Sequence, residues 1–179
     1  MLKTKFRSRV QNFDILVLNE TNRSPGDEVS LGLKLQAGML SNTPIPERTG
    51  AGFGTFIGSR LWDANLGDSL WRHDCFEIVR VTRKYKGLSV GIIGFYRSPN
   101  MDAAETDAFY KSVGDVISKE VGNDVLLLMG DDNSHPDGKS ASAKRAFRQL
   151  ELIRSRYKGV HVVEEPTRGI YQPDHVVGL

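Results

Sequence analysis

The chain has 179 residues, enough for one domain with a single sizeable core, and its 39% hydrophobic and 26% charged residues exclude a disordered or membrane-spanning class. A formal net charge of +2 is compatible with a phosphate-bearing partner without pointing to one. "MLKTKFRSRVQ" carries no apolar signal segment, no apolar run approaches membrane-spanning length, and the lone Cys75 excludes an intrachain disulfide, so the expected setting is intracellular, cytoplasmic or nuclear, and not secreted.

Leu2, Phe6 and Val10, spaced by four among lysines and arginines, predict a short amphipathic helix. "FDILVLNE" (13–20) reads as a buried strand, "NRSPGDE" as a turn, "VSLGLKLQ" as a second strand and "SNTPIPERTG" as a loop. "AGFGTFIGSRLW" is a glycine-rich strand. "CFEIVRVTRKYKGLSVGIIGFYRSPN" predicts two strands joined at Lys84–Gly87, the second ending at Tyr96. Phe109, Val113, Val116 and Ile117 keep helical spacing between Ala103 and Val121. "VLLLMG" is then a strand, "SASAKRAFRQLELIRSRY" a helix, and "VHVVEE" and "DHVVGL" are strands. With helices alternating among strands and no repeat or linker, the pattern predicts a layered α/β or α+β domain over 1–179.

Three apolar strands end in polar groups: Glu20, Tyr96, and the pair Asp131 and Asn133 in "LLLMGDDNSH". A carboxylate just past a buried strand is held rigidly yet open to solvent. Asp131 and Asn133 alternate, so an extended chain turns both the same way and Asp132 the other. Hard oxygen ligands of this kind suit magnesium, which leaves positions for water and substrate phosphate. The bland reading is also available. "GDDNSHPDG" has the composition of a turn, Glu20 that of a solvated strand end, and Tyr96 that of a core aromatic.

The motifs taken together resemble the endonuclease/exonuclease/phosphatase superfamily, the fold of DNase I. "DILVLNET" is similar to its "DIl-L-ET" strand, "GAGFGTFIGSRL" to its glycine-rich strand, "VGIIGFYRSP" to its "v-vYrpP" strand, "LLLMGDDNSH" to its "GDfN" motif and "PTRGIYQPDHVV" to its "TR…iDhi" segment. The style is nearest to endonuclease domains of retrotransposon-type reverse transcriptases. The resemblance implies a four-layer α/β sandwich and metal-dependent phosphodiester hydrolysis, with magnesium as cofactor and manganese as a substitute. It further implies DNA, ahead of RNA, as the nucleic-acid partner, no membrane, and a larger polyprotein that includes a reverse transcriptase.

By the same resemblance Glu20 holds the metal, Tyr96 contacts the scissile phosphate, Asp131 orients or deprotonates the attacking water, and Asn133 helps hold the phosphate. Asp132 replaces the family's apolar residue; its charge either tightens metal binding or, by repulsion, raises a pKa. The family's opening asparagine strand and closing Ser-Asp-His motif have no counterpart, so the domain is expected to be incomplete at both ends. Asp174-His175 matches either the closing motif or the "iDhi" segment; Thr167-Arg168 upstream and a short apolar run downstream favour the latter. Asp174 is then the carboxylate that orients a catalytic histidine, and His175 has no catalytic duty. His135 is close enough in sequence to Asn133 to approach a phosphate. The sets Arg7, Arg9; Arg80, Arg83, Lys84, Lys86; and Lys139, Lys144, Arg145, Arg148 are either nucleic-acid contacts or solvated faces. Two other readings remain beside the nuclease: a degenerate copy that binds nucleic acid or a partner without cleaving, and a phosphatase acting on a phosphoinositide-like substrate.

Overall fold

The computed structural model describes residues 15–19, 34–35, 55–59, 64–134, 140–162 and 174–179. Strands β1 (Ile15–Leu18), β2 (Lys34–Leu35) and β3 (Phe56–Ser59) form an antiparallel sheet in the order β1-β3-β2. A second sheet holds β4 (Ala64–His73), β5 (Phe76–Tyr85), β6 (Leu88–Arg97), β7 (Val125–Asp131), β8 (Val160–His161) and β9 (Asp174–Gly178). Its order is β4-β5-β6-β7-β9-β8, and among the described strands only the β6–β7 pair is parallel. Helix α1 (Ala103–Glu120) makes the β6-to-β7 crossover, and α2 (Ala141–Arg156) follows β7. The amphipathic helix expected at residues 2–11 lies outside the described residues.

Local chemistry explains the elements. Lys86 and Gly87, at φ 49° and 83°, form a two-residue reverse turn with both central residues in the left-handed region. That turn matches the twist of the flanking strands and fixes the Tyr85↔Leu88 register. Asp102 caps α1: its Oδ1 accepts from Glu105 N at 2.8 Å while Glu105 Oε2 accepts from Asp102 N at 2.9 Å. Ser140 caps α2 through Ala143 N at 3.0 Å.

Strand alternation divides the second sheet into two buried faces. Phe76, Ile78, Ile93, Phe95, Leu126 and Leu128 pack under Phe109, Tyr110, Val113, Val116 and Ile117 of α1 and Ala146, Leu150 and Ile153 of α2. Val79, Val81, Val90 and Ile92 point the other way, against Ile57 of β3, with Ile15, Val17 and Met129. Among the described residues the layers are therefore helices, a six-stranded sheet and a three-stranded sheet, an α/β sandwich. Helices and sheets follow the sequence pattern except at β4, whose "ANLGDSLWRH" has too few apolar residues to announce a strand. It forms by pairing along β5, with an irregularity between Asn65 and Gly67.

Candidate active site

Strand register assembles the site. Glu77 of β5 pairs with Tyr96 of β6, Tyr96 with Asp131 of β7, and Asp131 with Asp174 of β9. Residues opposite one another on neighbouring strands share a face. Glu77 has the parity of Val79 and Val81, Tyr96 that of Val90 and Ile92, and Asp131 that of Met129, so these three belong to the face toward the first sheet. The approach of the two sheets is tight here: a Cβ on Gly94 would lie 3.1 Å from both Ile57 Cδ1 and Thr55 Cγ2. Of the residues expected from sequence, Tyr96, Asp131 and Asp174 are thus in one transverse row, and Asn133 follows on the turn. Glu20 lies outside the described residues.

Glu77 is the member that the sequence reading missed. Its side chain is fully buried, and its Oε2 accepts from Thr55 N at 2.6 Å. Thr55 Oγ1 in turn donates to Asn19 Oδ1 at 3.1 Å. A chain of hydrogen bonds therefore runs from this transverse row to Asn19, just past the end of β1 and one residue before Glu20. The available signal was a lone carboxylate in "CFEIVRV" on the parity of its buried valines.

The turn after β7 is held from both sides. Asp131 Oδ1 accepts from Asn133 N at 2.9 Å, and Asn133 takes φ 50°, a left-handed conformation that asparagine tolerates. Asn133 Nδ2 donates to Arg97 O at 2.8 Å. The buried Arg97 guanidinium donates to Asp132 O (2.5 Å), Asn133 O (3.2 Å) and Ser142 Oγ (3.3 Å). It thereby ties β6, the turn and the start of α2 together.

Of the two expectations for the Asp132 charge, the second is met: it helps to raise a neighbouring pKa, that of Tyr110. The buried Asp132 carboxylate points to the helix layer, away from the face of Asp131, and accepts from the Tyr110 hydroxyl through Oδ2 and from Ser134 N at 3.0 Å through Oδ1. The raised pKa belongs to Tyr110: burial pushes the phenol well above its ordinary value, and the Asp132 charge and hydrogen bond add to this, while Arg97 opposes it. Because the folded state keeps this proton longer than the unfolded chain, its contribution to stability is complete below the ordinary phenol value of 10.0 and is lost as pH rises above it. Thermal melts above that pH should fall more steeply for the native chain than for Tyr110→Phe, which has no phenol to ionise; parallel alkaline slopes would count against this.

Other expected contributors are elsewhere. His135 is outside the described residues. His73 is exposed, stacked on Phe76, with Nδ1 3.2 Å from Cys75 Sγ. The set Arg80, Arg83, Lys84, Lys86 does not present one basic face: Arg83 is buried, and Arg80 pairs with Glu120 at 2.7 Å. In the α2 set Lys144 and Arg148 are exposed, while Arg145 is paired with Asp107 of α1, whose carboxyl it holds below the usual range.

Solved structures share this architecture. The endonuclease domain of TRAS1, a telomere-specific non-LTR retrotransposon, aligns with 96% of this chain and 75% of its own at 12% identity and a TM-score of 0.56. The human Nocturnin catalytic domain with bound sulfate aligns with 99% of this chain and 74% of its own at 11% identity and a TM-score of 0.64. The fold is the one seen in solved endonuclease/exonuclease/phosphatase proteins, such as that from Beutenbergia cavernae. D. rerio TDP2 complexed with a single-stranded DNA product shares the fold, aligning with 99% of this chain and 75% of its own at 10% identity and a TM-score of 0.55. No protein-family model and no curated protein matches the sequence.

Among the described residues the donors at this edge are oxygens: the carboxylates of Glu77 and Asp131, the Asn133 amide and the Tyr96 phenol. That set fits magnesium and disfavours softer metals. Among the described residues no three His, Cys, Asp or Glu side chains gather at metal-holding spacing. No helix among them is long and apolar enough to cross a membrane.

Proposed function

We propose that residues 1–179 form one domain that hydrolyses DNA phosphodiesters with magnesium, by in-line attack of water. The observation that carries this reading is the register row Tyr96–Asp131–Asp174, with Asn133 folded back beside Asp131 at the open end of the sheet. Asp131, half-buried and rigid at its strand end, orients the water and takes its proton. Asn133 presents its amide to a phosphoryl oxygen, and the Tyr96 hydroxyl supports the same phosphate from beneath. Asp174, in register with Asp131, is the carboxylate that would orient a catalytic histidine, for which residues 1–179 offer no counterpart. Glu20 would hold the magnesium, which when bound supplies positive charge to the phosphoryl oxygens.

The likeness to an endonuclease domain and to a protein solved with a single-stranded DNA product supports a nucleic-acid substrate. The retrotransposon source of the first supports the reading that the domain works beside a reverse transcriptase in a polyprotein.

The test is nicking of supercoiled plasmid by folded protein in magnesium and in EDTA. Magnesium-dependent nicking is expected, with Asp131→Asn and Glu20→Ala each reducing the rate by roughly 100-fold or more. A folded native protein that binds duplex DNA without nicking it would overturn the reading in favour of a binding copy.

A further inference from the structure

We propose that Tyr110, Asp132 and Arg97 form a buried positioning unit that sets the angle at which Asp131 and Asn133 face substrate, so that a hydroxyl on α1 controls turnover. This rests on the nuclease reading above and deepens it by assigning residues that touch neither substrate nor metal.

Asp131, Asp132 and Asn133 are consecutive, and the middle residue is gripped at every polar group for which a partner is described. Tyr110 holds one carboxylate oxygen, Ser134 N the other, and Arg97 Nε the carbonyl. Asp132 turns to the helices, while Asp131, the last strand residue, keeps the parity of Met129 on the opposite face. Arg97 completes the clamp by donating to Asn133 O while its own carbonyl accepts the Asn133 amide. Asn133 is thus fixed in its left-handed conformation by a cage of partners.

An apolar side chain at position 132 would pack beneath the helix but could not be steered by one hydroxyl. A buried carboxylate can, because leaving either partner unmatched in a low-dielectric interior is unfavourable and selects one arrangement. Tyr110 lies about two helical turns into α1, whose N-cap Asp102 stands five positions after the end of β6, so the hydroxyl is held by the element that leaves the Tyr96 strand. The unit therefore references the Asp131 turn to Tyr96 through the helix layer as well as through the sheet.

The experiment uses the full chain with Tyr110→Phe, Asp132→Asn and the double variant. Amide exchange at Ser134 and Asn133 reports the turn without any need for activity. Exchange should quicken at least about tenfold in Tyr110→Phe, with Asp132→Asn, which keeps the shape and one accepting oxygen, falling between. In plasmid nicking, Tyr110→Phe should lower kcat roughly 10- to 100-fold with KM changed less than about twofold, since a small misplacement of reacting groups acts on turnover. The double variant should lose no more than the worse single one, as members of one unit do. The magnesium concentration for half-maximal rate should be the same in Asp132→Asn as in the native chain.

Unchanged exchange at Ser134 in Tyr110→Phe would overturn the proposal. So would a shifted magnesium requirement in Asp132→Asn, which would make Asp132 a metal-site residue. A native chain that does not cleave would remove the nuclease reading, and the exchange measurement would still decide whether Tyr110 sets the turn.

Discussion

Arg97→Met is expected to lower unfolding stability by roughly 3–5 kcal/mol, read as a shift of the urea midpoint at constant slope. The native guanidinium is fully buried and donates to Asp132 O, Asn133 O and Ser142 Oγ. Methionine fills much of the volume but supplies no donor, so two carbonyls of the turn lose charge-assisted partners. Arg97→Lys keeps the charge but not the planar fork and should recover only part of the loss. A midpoint for Arg97→Met equal to the native one would mean that the turn is held without the guanidinium, and would weaken the case that β6 organises it.

Gly130→Ala should be as damaging, by about 3 kcal/mol or more, for a reason of a different kind. A Cβ at position 130 would collide with the carbonyl oxygen of Phe95 and lie 2.8 Å from Phe95 Cδ2. These residues are directly paired in the parallel β6–β7 ladder. The obstacle is main chain, so trimming the ring cannot remove it: Phe95→Leu combined with Gly130→Ala should melt no higher than Gly130→Ala alone. Rescue by that second change would show that only the ring resisted. Because Asp131 follows immediately, any surviving Gly130→Ala protein should also show little of the nicking proposed for the native chain.

Much of this was legible in the residues. Alternation in "CFEIVRV" and "VGIIGFY", the lysine–glycine turn and the periodicity of Phe109, Val113, Val116 and Ile117 each follow from local chemistry, and each element forms where expected. Register across distant strands is not local, and there the reading ran out. The row that joins Glu77 to Tyr96 and Asp131 depends on β5, β6 and β7 aligning through their turns and helix, so Glu77 looked like one more strand residue. Asp132 was legible as a departure, but its purpose was not. Its partner Tyr110 stands 22 positions earlier, on a helix where a tyrosine passes for ordinary core. β4 was invisible because its strand character comes from its neighbour.

The sheet order also bears on how the protein is born. β9 follows every other described strand in sequence yet lies between β7 and β8. On a ribosome, β7 must emerge, and α2 with it, long before residues 174–178 arrive to satisfy its second edge. Through that interval the Asp131 strand is an unpaired edge, open to mispairing. Non-local closure of this sort is slow. The row through Tyr96 and Asp131 gains Asp174 only when β9 arrives, so a nascent chain passes through a state open to mispairing before the sheet is complete.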